Sequence, residues 1–213
     1  MSQLSDSRVF FSNHPVVKDK LAQLRSIETG ARKFRELVRE ITMLLAYEAT
    51  ANLGTERALV ETPVSKFDGE RLLGAIALVP ILRAGLGMVE GVWEMVPDAV
   101  VWHVGLKRNE RTLEPIQYYA TKPPEPDVQA CLILDPMLAT GGSASATCDL
   151  LKSWGVHHIR YLGLIAAPEG IARLHRDHPD VPIYLAELDS HLNDQGFIVP
   201  GLGDAGDRQF GTG

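Results

Sequence analysis

Residues 128–154 read V-Q-A-C-L-I-L, then D-P-M-L-A-T-G-G-S, then A-S-A-T-C-D-L-L-K-S-W, and the order of these three pieces decides the fold. The first, 128–134, is apolar on nearly successive residues, as a strand covered on both faces is. The last, 144–154, is a helical stretch. Between them lie an acid and a small-residue turn, Asp135-Pro136-Met137-Leu138-Ala139-Thr140-Gly141-Gly142-Ser143. A strand passing through such a turn into a helix is half of a βαβ unit, which points to an α/β chain with a mostly parallel sheet. Thr140, Gly141, Gly142 and Ser143 carry little bulk, so consecutive backbone N–H groups can converge on one anion at the helix's positive end, with two hydroxyls adding donors. That is a phosphate cradle; the competing reading is an ordinary glycine-rich βα turn. The stretch matches neither G-x-x-x-x-G-K-[ST] nor G-x-G-x-x-G, which argues against a P-loop NTPase and a dinucleotide-binding domain. Asp135 favours the cradle, because a carboxylate at a strand's end can accept from sugar hydroxyls or assist a magnesium ion, which takes oxygen ligands.

Working outward, the same grammar recurs. Short apolar runs at 72–79, 100–106, 128–134, 159–166 and 181–188 alternate with glycine-bearing turns and helical stretches, giving a sheet with helices on both faces. In such sheets ligands sit at the carboxyl ends of the strands, so the residues just after each run matter most. Upstream, Phe34, Leu37, Val38, Ile41, Leu44, Leu45 and Ala49 recur at helical spacing between Gly30 and Gly54, and a shorter helix spans 16–27. The expected organisation is one unit over 1–213, with N-terminal helices at about 15–53, a core at about 72–188 and a C-terminal loop at about 189–213.

Composition narrows the function classes. The chain has 213 residues, 45% of them hydrophobic and 23% charged, and a net charge of −6. Such a chain buries a sizeable core without disulfides or structural metal. Cys131 and Cys148 form no C-x-x-C pair and stand in apolar contexts, which fits a reducing, cytoplasmic setting. The longest apolar run, 72–82, stops at Arg83 and is far below the roughly 20 residues of a bilayer span. Charges at Asp6, Arg8, Lys18, Asp19 and Lys20 break any signal-peptide core. No Lys/Arg block appears, which disfavours a nucleic-acid partner. A locally positive cleft for a small phosphorylated ligand remains compatible with the acidic total.

Two further loops gather basic residues. After the first run, Arg83-Ala84-Gly85 opens a helix; an arginine fork suits a diphosphate while Gly85 admits close backbone approach, although a single surface arginine also commonly braces a turn. After the second run come Lys107, Arg108 and Arg111, and then an irregular stretch to Asp127. A loop of that length is usually functional, with an exposed charged hairpin as the alternative. Other chemistries find little support. Neither cysteine has an evident base, and Ser143 lies outside any G-x-S-x-G elbow. His175 and His178 share a helix face without a third ligand, His157-His158 lead into a strand, and Trp93, Trp102 and Trp154 fall at core-pattern positions.

Taken together, P-I-L-R-A-G-L-G-M at 80–88, K-R-N-E at 107–110, Glu114-Pro115, D-P-M-L-A-T-G-G-S at 135–143, A-A-P-E-G-I at 166–171 and the tail G-F-I-V-P-G-L-G-D-A-G-D-R-Q-F-G-T resemble uracil phosphoribosyltransferases, from about His14 to Thr212. The resemblance implies a type I phosphoribosyltransferase fold with a C-terminal base-binding hood. It implies transfer of the phosphoribosyl group of 5-phosphoribosyl diphosphate (PRPP) to uracil, assisted by Mg2+, in a homodimer or higher homo-oligomer. Carried over motif by motif, it assigns PRPP to Arg83, Ala84, Gly85, Arg108, Asp135, Pro136, Met137, Leu138, Ala139, Thr140, Gly141, Gly142, Ser143 and Asp204. It assigns uracil to Ile198, Gly203, Asp204 and Ala205, gives catalytic roles to Asp135, Arg108 and Asp204, and sets Asp135 and Asp204 near the metal. Some members of the family are activated by GTP, for which the chain carries no readable motif. It departs from the family pattern at Arg111, Gln117 and Thr121, all in the long connection. Two rivals stay open at this level: a non-enzyme of the same fold, either an RNA-binding regulator or a homologue that has lost catalysis, and an enzyme that uses PRPP with another base.

Overall fold

The computed structural model describes residues 8–108, 115–121, 123 and 128–213, with 106–108 and 115–117 described by their backbone alone. The chain begins with β1 (Val9–Phe11), α1 (Pro15–Arg25) and α2 (Ala31–Thr50), followed by a hairpin of β2 (Thr55–Glu61) and β3 (Lys66–Leu72). The alternating part runs through β4 (Ile76–Leu82), α3 (Leu86–Trp93), β5 (Val100–Val101), β6 (Val104–Arg108), β7 (Pro115–Ala120) and β8 (Ala130–Leu134). It continues with β9 (Met137–Leu138), α4 (Gly142–Ser153), β10 (Ile159–Ala166), α5 (Pro168–Asp177) and β11 (Ile183–Leu188). The tail holds β12 (His191–Leu192), β13 (Ile198–Val199) and α6 (Ala205–Phe210).

The main sheet has the order β1-β11-β10-β8-β4-β6-β7, and its pairings are parallel except β6 with β7. Both faces are covered, which is why the central strands are apolar on successive residues. Along β8, Ala130, Leu132 and Leu134 point into a core shared with α1, α2 and α3, while Cys131 and Ile133 point into a second core under α4 and α5. β4 divides in the same way, with Ile76 and Leu78 on one side and Ala77, Val79 and Ile81 on the other. The chain moves from β4 outward to β6 on one side, whereas β8 and β10 follow on the other. The direction of winding therefore reverses at β4, and a crevice opens between the carboxyl ends of β4 and β8.

Several expected boundaries shift. The apolar run 72–79 joins two elements: Leu72 ends the hairpin, and β4 starts at Ile76 and continues through Pro80 to Leu82. The run 100–106 is split at Trp102 and His103, where the Trp102 N–H pairs with the Leu78 carbonyl at 2.9 Å. α1 stops at Arg25, leaving Ile27 98% exposed. α2 buries Phe34, Leu37, Val38, Ile41, Leu45 and Ala49 as its spacing requires, but it ends at Thr50. Gly54 belongs to the start of the hairpin, its carbonyl accepting from Leu73 N at 3.1 Å and Gln129 Nε2 at 2.7 Å. Of the tryptophans, Trp102 is core, whereas Trp93 is 42% exposed and donates its indole N–H to the Ala99 carbonyl at 2.8 Å. Among the described residues the β2–β3 hairpin pairs only with itself, and it carries Leu59, Val60 and Phe67 on its exposed surface. No described helix is long and apolar enough to cross a membrane.

Candidate active site

A cleft of about 310 Å³ opens at the carboxyl end of β8, lined by Asp135, Met137, Leu138, Ala139, Thr140, Gly141, Gly142, Ser143, Ala144, Gly196 and Asp204. Its floor is held by strand pairing on both sides of the acid. Asp135 N–H donates to the Leu162 carbonyl at 3.2 Å, Pro136 O accepts from Leu164 and Ile165, and β9 then pairs with the end of β10. Pro136, expected among the PRPP residues, is buried in the sheet and does not line the cleft. Tyr161, fully buried, donates its hydroxyl to the Asp135 carbonyl at 3.0 Å.

The turn itself depends on two glycines. Gly141 has φ 75°, the left-handed region, and a Cβ there would lie 2.8 Å from the Gly170 carbonyl. A Cβ on Gly170 would lie 2.4 Å from Leu138 O and 2.5 Å from Ala139 O. The first turn of α5 thus packs directly beneath the loop, and the A-A-P-E-G-I motif is explained by that contact. α4 begins at Gly142, so its first N–H groups lack carbonyl partners within the helix and its positive end faces the cleft.

Asp135 is half-buried at this floor, and burial raises its pKa from 3.8 to about 7, opposed only by the Met137 N–H at 3.4 Å. Asp204 lines the opposite part of the cleft and caps α6, its Oδ1 accepting from Asp207 N at 2.9 Å. Ile198 and Ala205 turn their side chains into the core and are not among the residues lining the cleft. Gly203 is exposed, with φ 79°. Gly201 has both main-chain groups engaged: its N–H donates to Asp189 Oδ2 at 2.9 Å and its carbonyl accepts from Arg25 at 2.7 Å. Gly206 is buried within α6.

The Arg83 loop reaches the site through Gly85, whose missing Cβ would stand 2.2 Å from the Leu134 carbonyl, one residue before Asp135. The Arg83 side chain is 57% exposed, donates to Asp207 Oδ1 at 3.3 Å and lies 5.9 Å from the Phe210 ring centroid. It stands beside the tail and not in the cleft lining. Arg108 ends β6 opposite Pro115, and its side chain lies outside the described residues, as do Asn109, Glu110, Arg111, Glu114 and Lys122. Within the long connection, Thr121 Oγ1 donates to the Tyr119 hydroxyl at 3.0 Å.

One contributor had no sequence signal. Gln209 is fully buried, and its Nε2 donates to both Ala84 O at 3.0 Å and Ala205 O at 2.9 Å, tying the Arg83 loop to the tail. Other chemistries are not assembled. Both thiols are buried and their pKa values are pushed up by desolvation, that of Cys148 to about 12, so neither is a ready nucleophile. His178 is tucked under α4, 3.1 Å from Lys152 Nζ and hydrogen-bonded to Ser145, away from the cleft. Among the described residues no group of three or more His, Cys, Asp and Glu is placed to hold a metal ion.

A family model described as uracil phosphoribosyltransferase matches residues 11–212. The chain belongs to the uracil phosphoribosyltransferase family. The uracil phosphoribosyltransferase of Roseiflexus sp. (strain RS-1) is 56% identical over 207 residues, covering 97% of this chain and 100% of that protein. Among solved structures, the AQ2163 protein from Aquifex aeolicus is 38% identical with a TM-score of 0.91, covering 96% of this chain and 98% of that one. A hypoxanthine phosphoribosyltransferase from Staphylococcus aureus shares the fold alone, at 13% identity and a TM-score of 0.53 over 85% of this chain and 84% of that one. The expected type I phosphoribosyltransferase fold is thereby established for this family member, and with it the class of pentosyl transfer.

Proposed function

We propose that the cleft joins uracil to the phosphoribosyl group of PRPP, giving UMP and diphosphate, a salvage reaction. The observation that carries this reading is the meeting, in one cleft, of an anion cradle at α4, a strand-end carboxylate at Asp135 and the tail residues Gly196 and Asp204, the latter next to the exposed main chain of Gly203. The 5′-phosphate takes the 139–143 turn, Asp135 takes the ribose hydroxyls, and uracil takes the 203–204 edge. In the reaction the N1–C1′ bond forms, the C1′–diphosphate bond breaks and the N1 proton is lost. Positive charge gathers on the ribose while negative charge grows on the leaving oxygens. No side-chain nucleophile is needed; much of the barrier is positional, because two substrates must meet in line in a site with little bulk water. Formation of UMP from uracil, PRPP and magnesium tests the proposal, and its absence in folded protein would sink it.

Magnesium suits the donor set. Asp135 and Asp204 both line the cleft and present only hard oxygen ligands. An ion held by one or two carboxylates plus substrate oxygens is the usual arrangement for Mg2+. When bound it supplies positive charge to the diphosphate.

Arg83 and Arg108 are assigned to the same diphosphate. The Arg83–Asp207 pair is exposed and of the kind that contributes little, about 0–1 kcal/mol, so the fork can be redirected to a phosphate. Lysine, a point donor, should replace neither well. Arg83→Lys and Arg108→Lys are each expected to lower turnover and to weaken product inhibition by diphosphate. Normal values of both in both variants would move the clamp elsewhere.

We also assign the chain to a homo-oligomer in the cytoplasm. Two buried, free cysteines suit a reducing compartment. An isolated two-stranded hairpin is marginal in water, and β2–β3 presents Leu59 at 69% and Phe67 at 59% exposure, so a second copy is its natural cover. Light scattering should give more than one chain mass for the parent and a smaller mass for Leu59→Lys/Phe67→Lys. A monomeric parent, or an unchanged mass in the double variant, would refute this.

A further inference from the structure

The main chain of the base-side loop is held by groups that no cleft description includes. At Gly201 and Leu202, three of the four backbone polar groups are committed to the scaffold: Gly201 N–H to Asp189 and its carbonyl to Arg25, and the Leu202 carbonyl to Arg208 at 2.8 Å. Asp189 is almost fully buried and receives the Arg25 fork at 2.5 and 2.8 Å. Arg208 turns back over α1, where it also donates to Leu24 O at 2.9 Å and Thr29 O at 3.3 Å and to the Ser26 carbonyl. Its guanidinium lies 4.5 Å from the centroid of the buried Phe34 ring. The planar fork thus spans the C-terminal end of α1 and the base-side loop together. Its charge is met by carbonyl oxygens and a ring face, a geometry that an ammonium cannot reproduce.

We propose that Arg208 is a positioning residue for base recognition, acting with Arg25 and Asp189 to set the 203–204 main chain against the base. The proposal rests on the uracil reading above. With these three groups moored, the main-chain groups left to face a ligand include those of Gly203 and the Asp204 N–H, whereas the Asp204 carbonyl accepts from Arg208 N at 3.0 Å, and their height over the cleft follows from the Leu202 carbonyl. The 5′-phosphate cradle has a separate foundation in β8, β10 and the start of α5, so loosening Arg208 disturbs the base far more than the phosphate, with Asp204 as the shared element. A displacement of a few tenths of an ångström at two converging hydrogen bonds should be felt as discrimination as well as affinity.

The test uses Arg208→Lys and Arg25→Lys in the full chain. The second keeps a cation beside Asp189 but cannot serve Asp189 and the Gly201 carbonyl with one fork. Each is expected to raise the uracil KM at least tenfold and to cut the uracil-over-cytosine preference at least tenfold. PRPP affinity, measured by calorimetry without a base, should stay within twofold. Unchanged uracil KM in both folded variants overturns the proposal. So does an equal loss of PRPP and uracil binding, or failure of both variants to fold, since either assigns the arginines to the framework alone. The parent enzyme in the same assay separates the two levels: if it makes no UMP, the uracil reading itself has failed.

Discussion

Asp135→Asn at pH 8 is expected to be more stable than the parent protein and far slower in turnover. The carboxyl is raised from 3.8 to about 7 by burial at the cleft floor, so the folded state keeps a proton that the unfolded chain gives up. Between these two values stability falls as pH rises, and above about 7 the cost of a buried, uncompensated carboxylate is fully present. Asparagine carries no such cost, and its Oδ1 can still accept from Met137. The gain at pH 8 should be roughly 2–4 kcal/mol, on the order of 5–10 °C in Tm, shrinking toward zero as pH drops to about 4. Turnover should fall roughly 10- to 150-fold, the loss of one charge-assisted contact. Melting curves from pH 4 to 8 beside steady-state kinetics decide the matter. A pH-independent difference in Tm removes the buried-carboxylate argument, and parental kcat in a folded Asn variant removes the ribose role.

Cytosine is expected to be used roughly 10⁴-fold less well than uracil if, as proposed, the base is read by main-chain groups, whose donor and acceptor sense cannot change. Ile198 and Ala205 have their side chains in the core, and no Asn or Gln lies in the loop between Phe197 and Asp207. A backbone N–H facing the uracil O4 and a carbonyl facing N3–H would each meet the wrong partner in cytosine. Gly203→Val probes the same edge. A Cβ at Gly203 would meet only Arg208 Cδ, at 3.5 Å, so space is available. The backbone conformation is the obstacle, since φ 79° costs a β-branched residue about 1–3 kcal/mol. The uracil KM should rise while PRPP binding alone is spared. Comparable kcat/KM for the two bases, or unchanged uracil kinetics in Gly203→Val, refutes main-chain reading.

What could be read in advance divides by sequence distance. The strand, acid, turn and helix of 130–153 are local, and each shows in residue type, so the place of Asp135 and of the 139–143 turn at a strand's carboxyl end is legible in the sequence. Gly85 and Gly141 were legible as small residues, though not their reason, which is a carbonyl of another strand or helix within contact distance. Arg25, Asp189, Arg208 and Gln209 were not legible as site-building residues. Arg25 meets Asp189 across 164 positions, Arg208 meets Leu24 across 184, and no local pattern distinguishes such residues from solvated charges. Arg83 was found, but its resting contact with Asp207 was not. The hairpin was missed because Leu72 and Leu73 run on into the apolar β4, hiding the turn at 73–75. Trp93 followed an apolar pattern onto a surface that its indole N–H satisfies locally.

The Arg208 fork, seated on the end of α1, also bears on how substrate preference could be moved between scaffolds. On the proposed reading the 196–210 tail contributes the edge that meets the base, and that edge takes its alignment, through Arg208, from carbonyls at 24, 26 and 29 and from the ring of Phe34. A tail spliced alone onto another phosphoribosyltransferase would arrive without its mooring and lie at an arbitrary height. The transferable module is discontinuous: the last turn of α1, the opening of α2 and the tail, exchanged together.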